Sequence, residues 1–154
     1  MVDELGEHFS KKGFEFSLQV KVAVAGQEVV FCLPQMFMNR SGMAVRELKD
    51  FYKVAEKDIL IVHDVLDLVL GKEKLVYQAS AAGHRGVSSI IDTLGVKDFY
   101  RLRLGIGRPV KKEEVESFVL SPFYEGEKSV VEAMVSEAKN RIKGWITKGE
   151  AFTS

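Results

Sequence analysis

One cysteine and three prolines are all that 154 residues contain of those two types. A single thiol excludes an intrachain disulfide. The setting of Cys32, inside Val29-Val30-Phe31-Cys32-Leu33, predicts a buried thiol in a reducing compartment. It does not suit a nucleophile, because thiolate chemistry needs an electropositive, partly exposed site. Charge of one sign is also missing: 22 lysines and arginines balance 22 aspartates and glutamates. No global field therefore announces nucleic acid or membrane, and any polyanion site must be a local patch. No apolar run approaches the roughly 18 residues that a membrane-spanning helix needs. Met1-Val2-Asp3-Glu4 is acidic where a secretory leader would be basic. These absences predict a cytoplasmic protein with no membrane partner. The three histidines, His8, His63 and His84, stand at no recognised ligand spacing, so neither a metal nor a cofactor is expected.

What is present suits one globular domain over residues 1–154, with 46% apolar residues to build its core. Met1 to Lys12 reads as the back end of an amphipathic helix stopped by Gly13. Phe16 to Val24 alternates, with Ser17, Gln19 and Lys21 on a polar face, and turns at Ala25-Gly26-Gln27 into Glu28 to Leu33: a β-hairpin. From Ser41 a helix places Met43, Val45, Leu48, Phe51 and Tyr52 for burial. Ile59 to Asp64 is short and apolar enough for a strand buried on both faces, and Lys72 to Tyr77 is a second strand. A helix over Gly86 to Leu94 ends at Gly95. Tyr100 to Gly107 alternates arginine with leucine, one face basic and one apolar. A short helix (Lys111 to Phe118) and a long one (Tyr124 to Lys148) close the chain. The long one buries Val131, Met134, Val135, Ala138, Ile142, Trp145 and Ile146. Strands alternating with helices predict a three-layer α/β domain with a twisted mixed sheet flanked by helices.

The residues able to carry chemistry gather at His63-Asp64 and at Gly83-His84-Arg85-Gly86. Ligands of open α/β sheets collect where strands release the chain, which places His63 and Asp64 well. A carboxylate beside an imidazole orients the ring and stabilises its protonated form, as a general base requires. Consecutive strand residues face opposite ways, however, so Asp64 is expected to support a histidine elsewhere and His63 to be structural. For His84 two readings stand open: a substrate-side histidine in a loop whose glycines let a ligand approach, or a histidine capping the helix that follows. Lys72, Lys74, Arg101, Arg103 and Arg108 could form a local phosphate-binding cluster or a solvated sheet face.

Four segments in order, Met36-Phe37-Met38-Asn39-Arg40-Ser41-Gly42, His63-Asp64-Val65-Leu66-Asp67-Leu68, Gly83-His84-Arg85-Gly86 and Tyr100-Arg101-Leu102-Arg103-Leu104-Gly105-Ile106-Gly107-Arg108-Pro109, resemble the bacterial peptidyl-tRNA hydrolase family. The resemblance runs to about Trp145. It implies an esterase that cuts peptide from the terminal ribose of tRNA, recycling tRNA without a metal, as a monomer. Phe37 and Asn39 would then contact the peptide and the 3′ end, and Asp64 would tune the catalytic histidine. Lys74, with Arg103 and Arg108, would contact tRNA, and His84 would lie at the substrate cleft. Arg85 stands where the family usually has a substrate-binding asparagine.

The family also opens with a strand, a loop resembling Gly-Leu-Gly-Asn-Pro-Gly and a Thr-Arg-His-Asn stretch that supplies the general-base histidine. Nothing like them occurs here, and His8 falls too far along the first helix to replace that base. Removing an inner strand would leave buried amides and carbonyls unpaired at about 1 to 3 kcal/mol each. The expectation is a domain truncated at its N-terminus, weak or inactive as it stands, whose full-length form hydrolyses peptidyl-tRNA. Two alternatives are a non-catalytic tRNA-binding relative and an active short hydrolase that uses His84 or His63 as base.

Overall fold

The computed structural model describes residues 9–10 and 13–148. These gather into two compact units, one within Met1–Ile59 and Gln78–Phe99, the other within Leu60–Tyr77 and Tyr100–Ser154.

The first unit is built on an antiparallel hairpin of β1 (Ser17–Val24) and β2 (Gln27–Pro34), in register from Ser17↔Pro34 to Val24↔Gln27. Its valine-rich alternation suits a pleated, half-buried surface. Ala25 and Gly26 both take positive φ, 50° and 80°, the left-handed pair that matches strand twist in a two-residue turn. The expected polar face is only partly polar in setting: Ser17 is 0% exposed while Lys21, on the same face, is exposed. Burial here changes along the strand as well as across it. Ser10 exchanges backbone hydrogen bonds with Gln19 at 2.8 and 2.9 Å, so Phe9 and Ser10 are not helical as expected. The remainder of the helix expected over Met1 to Lys12, His8 included, lies outside the described residues.

Two helices complete this unit, α1 (Ser41–Tyr52) and α2 (Arg85–Leu94). Where they cross, a Cβ on Gly42 would fall 2.2 Å from the Thr93 Oγ1 and 2.3 Å from the Ser89 carbonyl. The Gly42 amide donates to the Ser89 hydroxyl at 3.1 Å. Such close approach requires small residues, and the buried stripe of α1 is Ser41, Gly42, Ala44 and Leu48. The large apolar stripe expected is thereby corrected: Leu48 is buried, but Phe51 is 66% exposed and meets Phe14 edge-on at 5.0 Å. Gly95 ends α2 with φ +74°, and its amide donates to Ile91.

The second unit holds a mixed sheet of β3 (Leu60–Val65), β4 (Glu73–Tyr77) and β5 (Tyr100–Gly105), in the order β3-β5-β4. β3 runs parallel to β5 and β4 antiparallel to it. The short helix α3 (Val115–Leu120) and the long α4 (Lys128–Lys148) follow, each entered through a single 3-10 turn. Met134, Ala138 and Ile146 of α4 are buried, Trp145 meets Tyr100 edge-on at 5.7 Å, and Arg141 pairs with Glu73 at 2.9 Å.

Two expectations fail in this unit. Val135 is exposed rather than part of the buried stripe, and β3 is not buried on both faces, since Val62 is 45% exposed. Of the residues read as a phosphate-binding cluster or a solvated face, Arg101 is 1% exposed and suits neither, whereas Arg103 on the same face of β5 is partly exposed and Lys74 is exposed. Among the described residues no helix is long and apolar enough to cross a membrane.

Candidate functional site

In the first unit the site residues lie on two turns. Met38 to Arg40 form the 3-10 turn ahead of α1, closed by the Arg40 amide on the Phe37 carbonyl and the Ser41 hydroxyl on the Met38 carbonyl, 2.8 and 2.9 Å. That tight backbone turns side chains outward: Phe37 is 81% exposed, and Asn39 and Arg40 are exposed beside it. An aromatic ring so placed buries nothing of its own fold and is available to stack on or cover a ligand.

The second turn leads into α2. His84 is its N-cap, and its Nδ1 accepts the Val87 amide at 3.2 Å. A nitrogen that accepts there carries no proton, so the ring proton of the neutral imidazole sits on Nε2. His84 is thus a capping histidine whose Nε2 is a donor, suited to holding an oxygen and unsuited to taking a proton from water. A Cβ on Gly86 would lie 2.5 Å from the Met38 Sδ, so this glycine also leaves room for the methionine side chain. Arg85 opens α2, exposed, with its charge at the positive end of the helix dipole, where it is unfavourable to the helix.

In the second unit, Asp64 lies on the wall of a cleft of about 800 Å³ with Ile106, Phe118, Phe123, Glu114 and Glu127 among its other lining residues. Every ionisable side chain of that lining apart from the Tyr124 phenol is a carboxylate. His63 does not share it. Its Nδ1 lies 2.8 Å from the Asp64 carbonyl oxygen, which can only accept, so Nδ1 bears the proton and the other nitrogen, Nε2, is buried. The two neighbours therefore separate as strand alternation requires.

Sheet register aligns two cations with a histidine. His63 and Lys74 both stand opposite Arg103, one on each side, so the three share a face. Burial and the neighbouring Arg103 charge both hold Arg101 below its ordinary basicity. A group missed in the sequence lies beside this row. Asp67 pairs with Arg108 through Oδ1, and its Oδ2 is 3.8 Å from the Arg103 guanidinium. The sequence signal was Asp67 itself, in the same segment as Asp64, together with Gly105-Ile106-Gly107. A Cβ on Gly105 would meet the Val69 carbonyl at 2.3 Å, so glycine alone lets the Asp67 turn press against the end of β5. No cluster of three metal-ligating side chains occurs among the described residues.

A family model described as peptidyl-tRNA hydrolase matches residues 1–154. A peptidyl-tRNA hydrolase of Aquifex aeolicus is 43% identical over 141 residues, 90% of this chain and 73% of that protein. One from Thermus thermophilus is 41% identical over 149 residues, 97% of this chain and 78% of that protein. The crystal structure of the Acinetobacter baumannii peptidyl-tRNA hydrolase superposes with a TM-score of 0.81 at 32% identity, over 87% of this chain and 67% of that one. The α/β fold with its mixed sheet is the fold of that structure.

Proposed function

The chain belongs to the peptidyl-tRNA hydrolase family, and from that membership we propose that it works in the cytoplasm as an esterase releasing peptide from tRNA. The observation that carries this reading is the match of the family across residues 1–154, with Asp64 on the wall of an open cleft. The bond cut is the ester between the peptide and the terminal ribose of tRNA. Water must be deprotonated as it attacks, a step in which a positioned base contributes about 10² to 10⁴ in rate.

Neither described histidine is that base. His84 uses Nδ1 to cap α2, which leaves a donor at Nε2, and His63 gives its Nδ1 proton to a carbonyl while Nε2 is buried. We assign the base to a histidine outside the described residues, of the kind that the family carries on an N-terminal strand and loop. Asp64 is the carboxylate that orients the base and stabilises its imidazolium. Phe37 and Asn39 meet the peptide and the 3′ end, His84 donates to the substrate, and Arg85 contacts it in place of the family's asparagine. Lys74, Arg103 and Arg108 hold tRNA phosphates, an interaction that needs only a local cationic patch on a chain of zero net charge.

Release of peptide from N-blocked aminoacyl-tRNA tests this. The 154-residue chain should show little turnover. The same chain joined to the N-terminal strand and loop of the Aquifex aeolicus relative should show full turnover, reduced by about 10²-fold or more by Asp64→Asn. A fused chain that binds tRNA and releases no peptide would replace the hydrolase reading with a tRNA-binding one.

A further inference from the structure

We propose that Asp67 occupies a phosphate position between Arg103 and Arg108, and that RNA binds this face by exchanging a phosphate for the Asp67 carboxylate. The inference rests on the reading of these arginines as tRNA contacts. It adds a residue that acts against binding, a counterweight within the site.

The geometry is that of a shared oxyanion. One carboxylate oxygen of Asp67 accepts from the Arg108 Nη2, and the other lies 3.8 Å from the Arg103 Nη2, so two guanidiniums address two oxygens of one group. Guanidinium forks treat carboxylate and phosphate alike, since both offer paired oxygens in one plane. The turn that carries Asp67 is fixed by backbone bonds to the chain leaving β5: the Ile106 amide to Val65 at 3.1 Å and the Gly107 amide to Leu68 at 3.0 Å. The carboxylate is therefore presented on a rigid support.

Stability does not account for the arrangement. Side-chain exposure is 47% for Asp67 and 58% for Arg108, and ion pairs so exposed contribute little to folding. Its effect is instead on the field. Asp67 is the carboxylate that pairs with both Arg103 and Arg108, and without it the positive field of Arg103, Lys74 and Arg108 is stronger. With it, an incoming phosphate must displace the carboxylate and then sit near it. A hydrolase must release deacylated tRNA after each turnover, and a carboxylate that reoccupies the arginines favours that release.

Binding of deacylated tRNA, followed by fluorescence anisotropy over a salt series, decides the matter for the wild-type chain, Asp67→Asn, Arg103→Gln/Arg108→Gln and the triple variant. The asparagine is isosteric, and thermal unfolding of each variant confirms that it is folded. We expect Asp67→Asn to bind about 3- to 10-fold tighter at low salt, a gain that fades as salt screens the removed charge. The same substitution should change nothing once both arginines are glutamines. Unchanged or weaker binding by Asp67→Asn, while the double arginine variant still loses affinity, would overturn the exchange and leave the tRNA reading standing. An arginine-independent gain would also overturn it, as a general charge effect. Absence of tRNA binding by every protein would remove the functional reading and this proposal together.

Discussion

The Nδ1 atom of His84 accepts the backbone amide of Val87, 3.2 Å away, and so closes the first turn of α2. This bond decides which chemistry the ring can do, because it commits one nitrogen as acceptor and leaves the proton on the other. His84→Ala should cost about 0.5 to 2 kcal/mol of stability in urea unfolding, and His84→Asn, which can cap, much less. In the fused chain, if it is active, neither substitution should reach the loss of about 10²-fold or more that removal of a general base produces. A loss of that size in His84→Asn would restore His84 as the base.

Gly42 controls how closely α1 and α2 approach. A methyl group there would stand 2.3 Å from the Ser89 carbonyl and 2.2 Å from the Thr93 hydroxyl. The carbonyl belongs to a helix backbone and cannot swing aside as a side-chain tip could. Gly42→Ala should therefore destabilise the protein by about 1 to 3 kcal/mol, despite the better helix propensity of alanine. Chemical denaturation measures the loss. A stabilised alanine variant would show that the helices separate freely.

Cys32 offers a pH signature. Burial pushes its thiol up from 9.0 to about 11, with the Glu47 charge adding to the rise and a hydrogen bond with Ser17 opposing it. The folded protein then holds the thiol proton more tightly than the unfolded chain, so this contribution to stability is complete below about pH 9 and lost as pH rises toward 11. Its size is at most roughly 2 to 3 kcal/mol. Cys32→Ala should flatten the alkaline arm of the stability profile, and alkylation of the native thiol at pH 8 should be slow. Rapid alkylation in the folded protein would contradict both.

Local signals in the sequence carried most of the elements. Ala25-Gly26 marked the hairpin, Gly95 the end of α2, and the stripe through Met134 and Ala138 the inner face of α4. The misreadings share a physical origin in tertiary context. Alternation in β5 showed which residues share a face. It could not show that Arg101 is buried while Arg103, on the same face, stays partly exposed, because burial along a strand is set by tertiary packing. Phe51 looked like core by spacing, yet the close crossing of α1 on α2 gave the buried stripe to Gly42 and Ala44. Asp64 was legible as a strand-end carboxylate. Asp67 was not, because its partners Arg103 and Arg108 are distant in sequence and meet it only through the turn held against β5.

That turn can be tested through the two glycines that follow it. Gly105 and Gly107 look equivalent in sequence and differ in function. A Cβ on Gly105 would meet the Val69 and Leu68 carbonyls at 2.3 and 2.9 Å, whereas one on Gly107 would find its nearest neighbour at 3.9 Å, with only its φ of +74° to cost it. Gly107→Ala should then lose about 1 to 2 kcal/mol in urea unfolding through backbone strain and keep the turn in place. Gly105→Ala must push the turn outward, carrying Asp67 away from Arg103. It should lose stability by about 1 to 3 kcal/mol and, unlike Gly107→Ala, bind deacylated tRNA more tightly at low salt, as Asp67→Asn does. If both alanine variants bound tRNA alike, the position of the turn would have no hold on the cationic face, and the charge of Asp67 would act through the general field alone.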